Sequence, residues 1–137
     1  MTYLTRAAAA AGALLAAAGL LAAGPAQAAT RGSAPGDWLY LTVTRGDAQT
    51  GTTTSALLMC DPPTGHPHAA QACAELAAAD GDIDRIPHQD VFCPLIYAPV
   101  SVHARGSWNG RPVDYEQTYT SKCVMDARTG AVFALEA

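Results

Sequence analysis

Four cysteines constrain this chain more than any other feature. Cys60, Cys73, Cys93 and Cys123 are separated by 12, 19 and 29 residues, with no C-x-x-C pair among them. Zinc sites usually draw on such close pairs, so thiolate metal binding is disfavoured. An even count in a small exported domain reads instead as two disulfides. Four cysteines allow three pairings, and their spacing does not choose between them. The sequential pairing closes the shortest loops. Each bridge is worth on the order of 3 kcal/mol, by restricting the unfolded chain.

The N-terminus supplies the export that this reading needs. Arg6 precedes an apolar run from Ala7 to Ala23; Gly24-Pro25 breaks it, and Ala26-Gln27-Ala28 follows. A positive charge, an apolar stretch, a breaker and an A-x-A site make a secretory signal, with cleavage expected after Ala28. The run is short of the ~20 residues that span a bilayer, and it is mostly alanine. No later segment is apolar enough to span, so no membrane association is expected. The expected organisation is a signal peptide at 1–28, a loose small-residue arm at 29–37 and one domain at 38–137. The expected location is extracellular.

Cleavage leaves 109 of the 137 residues. Arg6 departs with the signal, so seven of eight basic residues remain against twelve acidic ones, a formal net charge of −5. Arg31, Arg45, Arg85, Arg105, Arg111, Lys122 and Arg128 are scattered singly. Nothing gathers phosphate, so no nucleic-acid partner is expected.

Trp38 to Thr44 alternates, with Leu39, Leu41 and Val43 on one side, and predicts a half-buried strand. Arg45-Gly-Asp begins a turn, and that tripeptide is too short to carry an adhesion reading. Thr52–Cys60 predicts a second strand, which Asp61-Pro62-Pro63 stops. A helix is predicted from near Pro67 to Ala79, with proline in its first turn and Gly81 beyond its end. Ala69, Ala72, Cys73 and Leu76 share one face, which would turn Cys73 inward towards Cys60. Residues 80–90 read as a plain acidic loop. Its alternating Asp80, Asp82 and Asp84 suggest calcium, but Arg85 and Val91 stand where an EF-hand needs Gly and Glu. Tyr97–Ser107 and Arg111–Thr120 predict two strands joined by the hairpin signal Asn109-Gly110. Ser121–Arg128 predicts a short helix, and Ala131–Leu135 a last strand. The sum is an α+β domain: about five strands, mostly antiparallel, with helices on one side.

A search for catalytic machinery finds none. G-x-S-x-G and H-E-x-x-H are both absent, and His66-Pro-His68 is the closest approach to a metal pair. Neither an enzyme nor a metal or other cofactor is expected.

Val91-Phe92-Cys93-Pro94-Leu95-Ile96-Tyr97-Ala98-Pro99 is the segment that stands apart. Large apolar side chains sit between an acidic loop and a proline. A bridge tethers Cys93, and Pro94 and Pro99 fix φ at two points. One reading is a core strand, Leu95-Ile96-Tyr97. The other is a stiff loop that offers apolar groups to a partner's groove, where little ordering entropy remains to be lost.

Three stretches carry a resemblance. They are Cys60-Asp-Pro-Pro-Thr-Gly-His-Pro-His-Ala-Ala-Gln-Ala-Cys-Ala-Glu-Leu76, Val91–Val100, and Trp108-Asn-Gly-Arg-Pro-Val-Asp-Tyr-Glu-Gln-Thr-Tyr-Thr-Ser-Lys-Cys123 with the ending Val132-Phe133. Over roughly 38–135 the chain resembles the Streptomyces subtilisin inhibitor family, small exported inhibitors of subtilisin-like serine proteases. The resemblance implies a five-stranded antiparallel sheet with two helices and two disulfides, Cys60–Cys73 and Cys93–Cys123. It implies a homodimer joined through the sheet. It puts the reactive bond at Leu95–Ile96, with Leu95 in the protease's primary pocket and Phe92 in a second apolar pocket. Cys93, Pro94, Tyr97 and Ala98 complete the contacting loop. Two departures stand out. Gly65 meets His66-Pro67 directly, one residue short of the usual spacing. Ser121 replaces an Asn that commonly supports the reactive loop, so the loop is expected to be looser. The competing expectation is a binding module that keeps the scaffold without inhibiting.

Overall fold

The computed structural model describes residues 36–47 and 49–137. The signal segment 1–28 and most of the expected arm lie outside the described residues. Asp37, at the end of that arm, is tied down. Its carbonyl accepts from Cys60 N and its carboxylate from Asn109 N.

The elements are β1 Trp38–Arg45, β2 Thr52–Cys60, β3 Pro63–Thr64, α1 Ala69–Ala78, a 3-10 turn Ile83–Arg85, β4 Val100–Trp108, β5 Arg111–Tyr119 and α2 Lys122–Thr129. The sheet runs β3-β2-β1-β4-β5, and every pairing is antiparallel. The expected α+β class therefore holds. β1 is central, and its alternation has the predicted phase: Leu39, Leu41 and Val43 are buried. Val100, Val102 and Ala104 of β4 continue that inner face. Ala72, Cys73 and Leu76 of α1 and Met125 and Thr129 of α2 pack on the same core, so both helices cover one side. Each fully buried Leu contributes about 2 kcal/mol. Bridges join Cys60 to Cys73 and Cys93 to Cys123, with Cα separations of 5.5 and 5.7 Å.

Asn109 and Gly110 have φ of +48° and +73°, the two left-handed positions of a type I′ turn. Gly81 has φ +76°, and its N–H returns to Leu76 O to close α1. A Cβ there would lie 2.4 Å from the Trp108 ring, so glycine also admits the indole to the core.

Four expectations need correction. Ala131–Leu135 is not a strand. It folds as successive turns, with Val132, Phe133 and Leu135 buried and Ala131 N donating to Glu75 Oε2. The fifth strand is the two-residue β3 instead. α1 starts at Ala69, not Pro67, because the His66 ring occupies the turn before it. The acidic loop holds the 3-10 turn, capped by Asp82, with Ile83 and Ile86 in the core. Finally, β4 starts at Val100, which leaves Tyr97 outside the sheet.

The Arg-Gly-Asp turn is used internally. Arg45 pairs with Glu136, and the Asp47 carboxylate accepts from Gln49 N, Thr50 N and Thr50 Oγ1. Those three donors lower the Asp47 pKa. No helix among the described residues is long and apolar enough to cross a membrane.

His66 links the C-terminal segment to α1. Its Nε2 lies 2.9 Å from Val132 O, and its Nδ1 accepts from His68 N at 2.8 Å. A carbonyl only accepts and an amide N–H only donates, so the two partners fix the neutral tautomer. Burial lowers the His66 pKa, the Val132 carbonyl opposes that shift, and His68 adds a smaller lowering. The sign follows from linkage. The unfolded chain takes up a proton near the ordinary value of about 6.5, while the folded chain resists it. This group's contribution is therefore complete above about pH 6.5 and is lost as the pH falls from there towards the depressed folded value. Denaturant midpoints of wild type and His66→Gln across that window check this. The variant should show the shallower slope, and equal slopes would contradict the assignment.

Candidate functional site: an exposed, tethered loop

Residues 87–99 carry no helix or strand. Pro87, Pro94 and Pro99 lack amide donors and hold φ in the extended range, so the segment resists both. The large side chains on it face solvent: Leu95 is 104% exposed, Phe92 93%, Tyr97 78% and Ile96 63%. The core-strand reading fails on these values. Each such side chain forgoes roughly 1.5–3 kcal/mol of burial, and contiguous exposed apolar groups of this kind mark interaction surfaces.

The loop is held at its ends and once in the middle. On the incoming arm Gln89 N donates to Ala127 O at 2.8 Å. On the outgoing arm Ala98 N donates to Thr120 O at 2.9 Å, and Gly46 N to Pro99 O at 3.2 Å. Between them Cys93 is bonded to Cys123 in the first turn of α2. Three of these four anchors lie within residues 120–127, so α2 and its approach form the platform. α2 is itself pinned by the buried side chains of Met125 and Thr129, and the Thr129 hydroxyl is satisfied within the helix, donating to Met125 O at 2.8 Å. At the apex Ile96 N donates to Pro94 O at 2.8 Å, a three-residue turn centred on Leu95.

Ser121 does not reach the loop. It is the N-cap of α2, and its hydroxyl accepts from Val124 N at 3.3 Å. An open cleft lined by Cys93–Tyr97, Thr120 and Val124 lies beneath the loop. Asn is as good an N-cap as Ser and reaches further. In Ser121→Asn we expect a firmer loop, with slower amide exchange at Leu95 and Ile96 and little change in stability. Hydrogen exchange read by mass analysis tests this, and unchanged rates would rule it out.

The sequence-nominated residues Phe92, Cys93, Pro94, Leu95, Ile96, Tyr97 and Ala98 thus form one continuous surface. Sequence reading missed the other half of the support, the backbone carbonyls of Thr120 and Ala127 and the Gly46 amide. Backbone groups carry no residue signature. Elsewhere, the side chains of Asp80 and Asp82 have local partners. Asp80 holds Arg111 and Asn109, which lower its pKa, and Asp82 caps its own turn. No metal-binding group of three His, Cys, Asp or Glu occurs among the described residues.

Comparison with known proteins bears on the family and the fold. The profile of the subtilisin inhibitor-like family matches residues 35–121. A Streptomyces avermitilis protein named "Putative serine protease inhibitor" is 60% identical over 124 residues, covering 90% of this chain and 84% of its own length. The subtilisin inhibitor of Streptomyces albogriseolus is 43% identical over 101 residues, 70% of either chain. Among solved structures, Streptomyces caespitosus sermetstatin, crystallised in complex with Bacillus licheniformis subtilisin, aligns with a TM-score of 0.58 and 34% identity. That alignment covers 72% of this chain and 97% of sermetstatin. With the profile spanning most of the domain and the relatives covering most of the chain, this protein belongs to the subtilisin inhibitor-like family.

Proposed function

We propose that the chain is an exported, substrate-like inhibitor of subtilisin-like serine proteases whose reactive bond is Leu95–Ile96. One observation carries the reading: the most exposed large apolar side chain among the described residues sits at the apex of a loop anchored on both sides of that bond. Leu95 fills the primary specificity pocket and Phe92 a second apolar pocket on the acyl side. Ile96, Tyr97 and Ala98 lie on the leaving-group side. Leucine suits an apolar pocket and does not suit trypsin, which places a buried carboxylate there.

The anchors explain why binding outlasts turnover. After attack, the new carboxyl end is two residues from the Cys93 bridge. The new amine is two residues from the Ala98–Thr120 hydrogen bond. Neither end diffuses away, and their high effective concentration favours resealing. Protease–inhibitor pairs of standard interface size are among the tightest known.

The segment 1–28 directs export and is removed by cleavage after Ala28. A homodimer forms through the outer sheet face, where Tyr40 and Leu57 are directly paired across β1 and β2 and are 49% and 45% exposed. Sedimentation of wild type and Leu57→Asp tests the dimer. Function is tested by titrating subtilisin with oxidised 29–137. Inhibition near one-to-one per chain, with slow cutting confined to Leu95–Ile96, supports the proposal. Rapid digestion there, or no protection of a subtilisin substrate, favours the binding-module alternative.

A further inference from the structure

We infer that Asn109 is a spontaneous deamidation site and that Asp80 holds it in check. The proposal is independent of the inhibitory loop. Asn-Gly is the sequence most open to this chemistry, because a glycine leaves the following amide nitrogen unshielded. Here a Cβ on Gly110 would meet nothing within 4 Å beyond its chain neighbours, so no other element packs against this glycine's side. Both residues are exposed. In the reaction the Gly110 nitrogen attacks Asn109 Cγ, and the Cγ–Nδ2 bond breaks. Ammonia leaves with Nδ2, and a five-membered succinimide closes. Water then opens either of its carbonyls, giving an aspartyl or isoaspartyl linkage at position 109.

The structure holds Asn109 away from that path. Its Nδ2 donates to Asp80 Oδ1 at 2.9 Å, and its backbone N–H donates to Asp37 Oδ1 at 2.7 Å. Asp80 is held in place by Arg111, whose Nη2 donates to Oδ2 at 2.7 Å and to the Asp80 carbonyl at 3.1 Å. Asn109 and Gly110 both sit in left-handed backbone, so the turn fixes where the Gly110 nitrogen lies. To react, the carboxamide must leave Asp80 and swing towards that nitrogen. Conversion would also put a carboxylate against the Asp80 carboxylate, replacing a hydrogen bond with repulsion. The guarded hairpin joins the start of β1, the end of α1 and β5, so damage there would loosen three elements together.

The test is prolonged incubation of the oxidised mature chain at mildly alkaline pH, with peptide mass analysis and isoaspartate detection. Wild type should deamidate at position 109 at least about tenfold more slowly than the reduced, unfolded chain, since reaction then waits on local opening. Asp80→Ala should accelerate it several-fold, and Asp80→Asn, which keeps an acceptor oxygen, should react more slowly than Asp80→Ala. Arg111→Ala, which loosens Asp80 but leaves the Asn109–Asp80 hydrogen bond available, should accelerate it less than Asp80→Ala. Three results would overturn the proposal: a wild-type rate equal to that of the unfolded chain, no acceleration in Asp80→Ala, or acceleration in Arg111→Ala as large as in Asp80→Ala.

Discussion

Leu95→Lys should leave the fold unchanged and create a trypsin inhibitor. The side chain is wholly exposed, so the substitution should alter stability by no more than about 0.5 kcal/mol. In trypsin's pocket the new ammonium meets a buried carboxylate, and close interfacial charge pairs contribute about 1.5–7 kcal/mol. A gain near 4 kcal/mol is roughly a thousandfold in Kd. Against subtilisin the same ammonium loses apolar contact, while Phe92, Ile96 and Tyr97 remain. The loss there should be smaller, about ten- to a hundredfold. Inhibition constants against both proteases, with a thermal melt, check the prediction. A large drop in melting temperature would mean that Leu95 is a core residue. Unchanged trypsin inhibition would mean that it does not enter the primary pocket.

Removing the bridge beside the loop should turn the inhibitor into a substrate. In the double variant Cys93→Ser, Cys123→Ser, the hydrogen bond that remains on the incoming side of Leu95–Ile96 among the described residues is the distant Gln89–Ala127 pair. A cut chain then separates instead of resealing, so inhibition should decay within the assay as the bond is cleaved. Stability should fall by about 3 kcal/mol from the freed loop. The matched double variant Cys60→Ser, Cys73→Ser supplies the control. That bridge ties α1 to β2, away from the loop, and its loss should cost a similar amount of stability. Below its melting point this second variant should still inhibit persistently. If both variants lost inhibition in step with their stability, local tethering would be the wrong explanation.

The parts of the fold with strong local periodicity were legible from sequence. Leu39, Leu41 and Val43 alternate because β1 buries one face only, and Asn109-Gly110 turns as its chemistry requires. Ala131–Leu135 misled, since a short apolar run looks the same in a buried strand and in a buried turn. What decides it is Glu75, from another element, accepting the Ala131 N–H, together with His66 on the Val132 carbonyl. β3 is two residues long and carries no period at all. The acidic loop hid Ile83 and Ile86, isolated apolar residues whose burial depends on what packs over them.

The cysteine count, a mostly antiparallel α+β class, the central strand's inner face and the distinctness of the segment around Leu95 are all legible along the chain. These follow from side-chain chemistry and from spacing along the chain. Whether that segment was core or surface could not be read locally, because Leu, Ile and Tyr suit either. Tertiary structure decided it, by filling the inner face with Val132, Phe133 and Met125 and leaving the loop outside. It also decided what holds the loop: carbonyls of Thr120 and Ala127, and a Ser121 hydroxyl turned to its own helix. Backbone donors and acceptors are the same at nearly every residue, so only the three-dimensional path shows which of them meet.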